Sequence, residues 1–196
     1  MEQNVSMKIN ELPSPTWNWL KVNETSIKWS TKIEPCEIAA EGDAVATETE
    51  QLSDIETGAG READAIFATE NTAKYQILAD NAGQDKTVRL HISGKKDAHT
   101  AGCVEIVAKE NSTLTVVMDS RVAPDATKEE ESTAEASLAV RVRMKVESGA
   151  SVRLIQVQMP QEHETLLSDI GGNLIGEGAK VEYIPVSYTH LRAHET

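Results

Sequence analysis

The stretch Asn111-Ser-Thr-Leu-Thr-Val116 has two later counterparts, Gly149-Ala-Ser-Val-Arg-Leu154 and Gly178-Ala-Lys-Val-Glu-Tyr183. Each begins with a residue that tolerates positive φ, passes through a small and a polar residue, and ends apolar–polar–apolar. The segments start 38 and then 29 residues apart. A corner that recurs before a short strand predicts a solenoid, because one coil cannot bury its own inward face and must stack on the next. A β-sandwich also uses alternating strands, but gives no reason for the same corner to return.

Working outward, the alternation extends on both sides. Val88, Leu90 and Ile92 alternate with Arg89 and His91. Val104, Ile106 and Ala108, and then Leu114, Val116 and Met118, follow the same period, and 136–144 and 152–159 continue it. The phase relative to the corners predicts that Val88, Leu90, Val104, Ile106, Leu114, Val116, Val140, Val142, Val152, Leu154 and Val181 point inward. His91 falls on the polar phase and is expected in solvent. The longer first spacing is absorbed by 122–135, which holds five acids against one lysine and reads as a surface insertion.

The region before the strands differs. Ser14 is suited to cap a short helix through Leu20, with Pro15 at the first helical position and Trp17 and Trp19 packing on the domain that follows. Residues 34–56 contain eight acids and no Lys or Arg, which predicts a loosely held linker. Gly58-Ala59-Gly60 opens a helical stretch from Arg61 to Ala68; it lacks the Gly-Lys-Ser/Thr of a phosphate loop and the third glycine of a dinucleotide turn.

The net charge is −13, which repels phosphate backbones and anionic lipid, so neither nucleic acid nor membrane is an expected partner. The first residues show no basic segment followed by an apolar one, and the expected location is cytoplasmic. Cys36 and Cys103 are 67 positions apart, too far for a zinc knuckle, and read as reduced structural thiols. His163-Glu164 begins like a zincin helix, but Leu167 stands where the second histidine belongs.

The segments ELPSPTWNWLKVNETSI, GAGREAD, ENSTLTVVMD, VRVRMKVESGASVRLIQVQM and LLSDIGGNLIGEGAKVEYI resemble, in order and spacing, those of the SufB/SufD family of iron–sulfur cluster assembly proteins, most of all its SufD branch. The resemblance covers nearly all of residues 8–185. It implies a mainly β chain: the N-terminal part of a right-handed parallel β-helix, preceded by a small helical and irregular region. It also implies a non-enzymatic scaffold subunit that works with SufB-like and SufC-like ATPase partners. The family's cluster-related cysteine and histidine, and its ATPase-docking surface, lie later than the stretch matched here. No catalytic, cofactor or metal residue is therefore assigned; Cys36, Cys103, His91, His99 and His163 are not put in their place. No cofactor is expected on this fragment, and the iron–sulfur cluster is handled by the whole complex.

The expected organisation is a helical and acidic linker region over 1–73, an incomplete β-helix core over 74–185, and a tail over 186–196. That tail, VSYTHLRAHET, resembles the translation of a transposon adaptor used in sequencing-library preparation, and is read as foreign and poorly packed. The competing function is a β-solenoid module binding carbohydrate or protein, which would favour aromatic platforms on exposed strand positions. A solenoid lyase or hydrolase would need acids and bases clustered on one strand face; here the acids are expected in loops.

Overall fold

The computed structural model describes residues 4–9, 25–68, 70–80, 82–122, 136–161 and 164–187. The expected helix at Ser14, Trp17 and Trp19, most of the acidic insertion, His163 and residues 188–196 lie outside them. No helix among the described residues is long and apolar enough to cross a membrane.

At the N-terminal side, β1 (Asn4–Ile9) pairs antiparallel with β2 (Thr25–Ser30). Three short strands follow, β3 (Glu34–Pro35), β4 (Glu37–Gly42) and β5 (Val45–Glu48), and then one helix, α1 (Arg61–Phe67). Among the described residues the strands that follow are β6 (Ala73–Ala79), β7 (Asp85–Ser93), β8 (His99–Ala108), β9 (Thr113–Arg121), β10 (Ala136–Val146), β11 (Ser151–Gln158), β12 (Glu164–Leu174) and β13 (Lys180–Ser187). Even-numbered strands from β6 form one parallel sheet and odd-numbered strands from β7 another, so each circuit of the chain adds one strand to each. This is the stacked-coil architecture that the corner repeat predicts, and its parallel pairing excludes an antiparallel sandwich.

The corners sit in register. Asn111, Gly149 and Gly178 have φ of 57°, 67° and 77°. Each lies two residues before its strand, and the strands align Thr113, Ser151 and Lys180. Asn111 donates its N–H to Ser148 O at 3.0 Å, and Gly149 donates to Glu177 O at 2.9 Å, so each corner is tied to the next coil. A fourth corner, Gly83 with φ 78°, precedes β7 at the same offset and donates to Asn111 O at 3.2 Å. Its sequence, Gly83-Gln-Asp-Lys, lacks the small residue at the second position, which hides it from the repeat.

Ten of the eleven residues expected inward are at most 1% exposed, and Val181 packs partly buried against the same core. Burial of each fully covered aliphatic stabilises the fold by about 1.5–3 kcal/mol. The expected helix after Gly60 is α1, with Ala68 as its C-cap.

Two expected boundaries are corrected. Residues 34–56 are not a loose linker: β3 lies parallel to β8, β4 pairs antiparallel with β7, and β5 pairs antiparallel with β6. Ile38, Ala40, Ala44 and Ala46 pack on the core while Glu37, Glu41 and Glu48 are exposed. Alternation places the like charges outward, so the repulsion that argued for disorder is solvated. These strands cover the first coil, and their charged outer side protects a sheet edge. The core therefore takes in residues from before 74. The boundary at 186 also moves, since Val186 and Ser187 continue β13 opposite Val157 and Gln158 and Val186 is half-buried. A parallel ladder is made by backbone groups, and side-chain pattern does not stop it.

Candidate functional site

Along VRVRM, residues 140–144, Arg141 and Arg143 are two apart and so project from one face of β10, away from the core between the sheets. Strand register extends this face sideways. Lys74, Cys103, Arg141 and Asp169 stand in one row across β6, β8, β10 and β12; Gln76, Glu105, Arg143 and Gly171 stand in the next. Over these rows lie α1 and the segment before it. A second apolar cluster, including Met7, Trp29, Ala63, Ile66, Phe67, Cys103 and Leu167, joins them to the sheet.

The first row is a buried polar network. The Asp169 carboxylate accepts from Arg141 Nε at 2.7 Å, Thr57 Oγ1 at 2.6 Å and Ala59 N–H at 2.8 Å. Arg141 Nη2 is 2.7 Å from both Asp169 and Asp64, and its guanidinium lies 4.2 Å above the Phe67 ring. One residue of β12 thus fastens both the loop before α1 and, through Arg141, the helix itself.

In the second row, Glu105 accepts from Ser53 N–H at 2.9 Å and from Gln76 Nε2 at 2.7 Å. Burial pushes its carboxyl up, but those hydrogen bonds and the Arg143 charge outweigh it and hold the carboxyl below its ordinary value. Arg143 Nη1 donates to Ser53 O at 2.7 Å, while its buried Nε has no partner. Between the covering segment and the two rows is a cavity of about 450 Å³, lined by Leu52, Phe67, Lys74, Cys103, Arg141 and Arg143 among others.

No family model, curated protein or solved structure matches this chain.

Of the residues weighed in the sequence, Cys36 and Cys103 are brought near one another across β8, while His91 stands on the other sheet. Cys36 and Cys103 are both free and buried. Cys36 packs in the core between the sheets, and Cys103 belongs to the outer cluster. Burial is the main reason the Cys36 thiol is pushed up to about 12, with the neighbouring Cys103 adding to it. Burial likewise lifts Cys103 to about 11, against the opposing charges of Arg141, Arg143 and Lys74. Both are therefore protonated and inert at neutral pH, as structural thiols are. His91 stands on the outside of the other sheet, partly exposed, with Nδ1 3.7 Å from Asp119. His99 is beside Trp29, ring centroids 5.8 Å apart, and its Nδ1 contacts the Ser137 hydroxyl.

One expectation is overturned. Acids and bases do cluster on a strand face: Glu105, Asp169, Arg141 and Arg143 share the outer side of one sheet. The sequence signal was the pair of arginines alternating in β10, which reads as a solvated polar phase until the covering helix is known. Oδ2 of Asp169 takes both Arg141 donors and the Thr57 hydroxyl, and Oδ1 takes the Ala59 N–H, so this row ties the covering loop and helix to the sheet.

Proposed function

We propose that this chain is a SufD-like scaffold subunit of an iron–sulfur cluster assembly complex, non-enzymatic by itself, working in the cytoplasm with SufB-like and SufC-like ATPase partners. The observation that carries the reading is the coincidence of an ordered motif series with a stacked-coil frame. ENSTLTVVMD runs into β9, VRVRMKVESGASVRLIQVQM spans β10 and β11, and LLSDIGGNLIGEGAKVEYI spans β12 and β13. GAGREAD opens α1, whose Asp64 meets Arg141 of the motif on β10. The cluster enters as cargo of the assembled complex.

The test is affinity purification of the chromosomally tagged gene product from its source cell, with partners identified by mass spectrometry. Co-purification of a SufB-like protein and a SufC-like ATPase in fixed proportion is the expected result. A folded product that recovers neither rejects the reading. The alternative, a solenoid binding module, is favoured by the cavity under Leu52 and Phe67. It predicts a ligand and no ATPase partner.

A further inference from the structure

The outer sides of the two parallel sheets are provided for differently. On the even-numbered sheet α1 is the cover: it adds Ala63 and Ile66 to the second apolar cluster and brings Asp64 to Arg141 at 2.7 Å. The odd-numbered sheet presents the same combination, apolar residues beside arginines. Val117, Ile155 and Ile184 stand side by side in one row across β9, β11 and β13, and Val157 and Val186 are paired in the next row of β11 and β13. The inward neighbours Val116, Met118 and Leu154 are fully buried, so the alternating residues point outward. None of these five outward residues belongs to either apolar cluster among the described residues, and Ile184 is 36% exposed. The rim of the patch is basic. Asp119 is taken by Arg121 at 3.2 Å, with His91 beside it, and Glu182 is taken by Arg153 at 2.5 Å. Arg89, next to Val117 on β7, is exposed and makes no ion pair among the described residues, although Glu41 stands opposite it on β4.

We propose that this face docks an acidic amphipathic helix of a partner protein, its apolar stripe on Val117, Ile155 and Ile184 and its flanking acids turned to Arg89 and Arg153. Strands about 4.8 Å apart and rows about 7 Å apart make the patch one helix wide. A helix with apolar residues at three- and four-residue spacing matches it. Charge selects the occupant. A second copy would bring a further −13 to the contact, which long-range repulsion opposes, and anionic lipid is opposed in the same way. The acids of a single helix meet the rim arginines within the roughly 8 Å over which charges act at physiological salt. On the other sheet the cover is of this kind, with Glu62 and Asp64 in the first turn of α1. The inference stands independently of the scaffold reading, since any protein can carry the helix.

The experiment places photoreactive benzoylphenylalanine at Ile155 of the full 196-residue chain and, as a control, at Glu110, which is exposed on a corner. Cells of the source organism are irradiated, and cross-linked peptides are sequenced by mass spectrometry. The Ile155 probe is expected to join a peptide with apolar residues at three- and four-residue spacing flanked by Asp and Glu, in at least about tenfold the yield of the Glu110 probe. Val117→Glu sets a carboxylate under the apolar stripe and should lower that yield about tenfold. Arg89→Glu reverses a rim charge and should lower it about threefold. The fold of each purified variant is checked by far-UV circular dichroism. If Val117→Glu fails to fold, Val117→Thr, which keeps the branched shape, decides. A cross-link to a second copy, to lipid, or to a peptide without that spacing or without flanking acids overturns the proposal. So does an Ile155 yield no higher than that of Glu110, or one unmoved by the Val117 and Arg89 variants.

Discussion

Replacing Asp169 with alanine removes, in one step, the acceptor for two donors of Arg141, the Thr57 hydroxyl and the Ala59 N–H. Arg141 is 4% exposed and keeps only Asp64, which is itself more than half exposed. Breaking a buried ion pair from one side costs about 3–5 kcal/mol, because the remaining charge stays desolvated. Partial rescue by Asp64 is offset by the stranded Ala59 N–H, so about 4 kcal/mol is expected, a large share of an ordinary domain's stability. The assay is urea unfolding followed by far-UV circular dichroism, with hydrogen exchange of the native protein. Exchange should accelerate in Thr57 to Phe67 and stay slow in β9 and β11, which lie in the other sheet. The double variant Arg141→Met with Asp169→Leu removes both charges and should recover at least about 2 kcal/mol of the loss. A cost below about 1 kcal/mol for Asp169→Ala, or a double variant no better than the single one, would refute the clamp.

Gly149→Ala sets a Cβ 2.3 Å from Asn111 Oδ1 at a φ of 67°. It should destabilise by about 1–3 kcal/mol in thermal denaturation, and adding Asn111→Gly should relieve only the clash. Native Cys103 should react with a disulfide reagent at pH 8 about 100-fold more slowly than in urea, since a pKa near 11 leaves about one-hundredth of the thiolate that the ordinary 9.0 allows, and Cys36, near 12, about 1000-fold more slowly. Raised thiol pKa values contribute stability that is complete below pH 9.0 and lost as pH climbs toward 11 and 12; a cysteine-free variant should show a flatter decline there. Glu105 has the opposite sign. Its depressed pKa gives stability that is complete above 4.5 and fades as pH falls below it, so Glu105→Gln should be less stable at pH 7 and lose less on acidification.

The corner repeat made the coil stacking legible, because a positive-φ position and a strand phase are both written locally. The inward residues followed directly, and Leu114, Val152 and Leu154 are all fully buried. The acidic strands were missed for a physical reason. Counting charge over 34–56 averages away the alternation of Ile38 and Ala40 with Glu37 and Glu41, although Gly42-Asp43 between two such pairs was a turn signal. The outer face was harder still. Nothing local in β12 says that Asp169 lies beside Arg141, since 28 residues separate them and the register is set by stacking. Burial of that row depends on α1, whose sequence marks it as a helix but not as a cover.

The proposed scaffold role is tested most directly by deleting the gene in its source cell and assaying iron–sulfur enzymes under iron limitation. Aconitase-type activity is expected to fall while the amount of the enzyme's polypeptide is unchanged, and the intact gene to restore it. Full iron–sulfur enzyme activity in the deletion strain, with no second SufD-like gene to replace it, would contradict the proposed role.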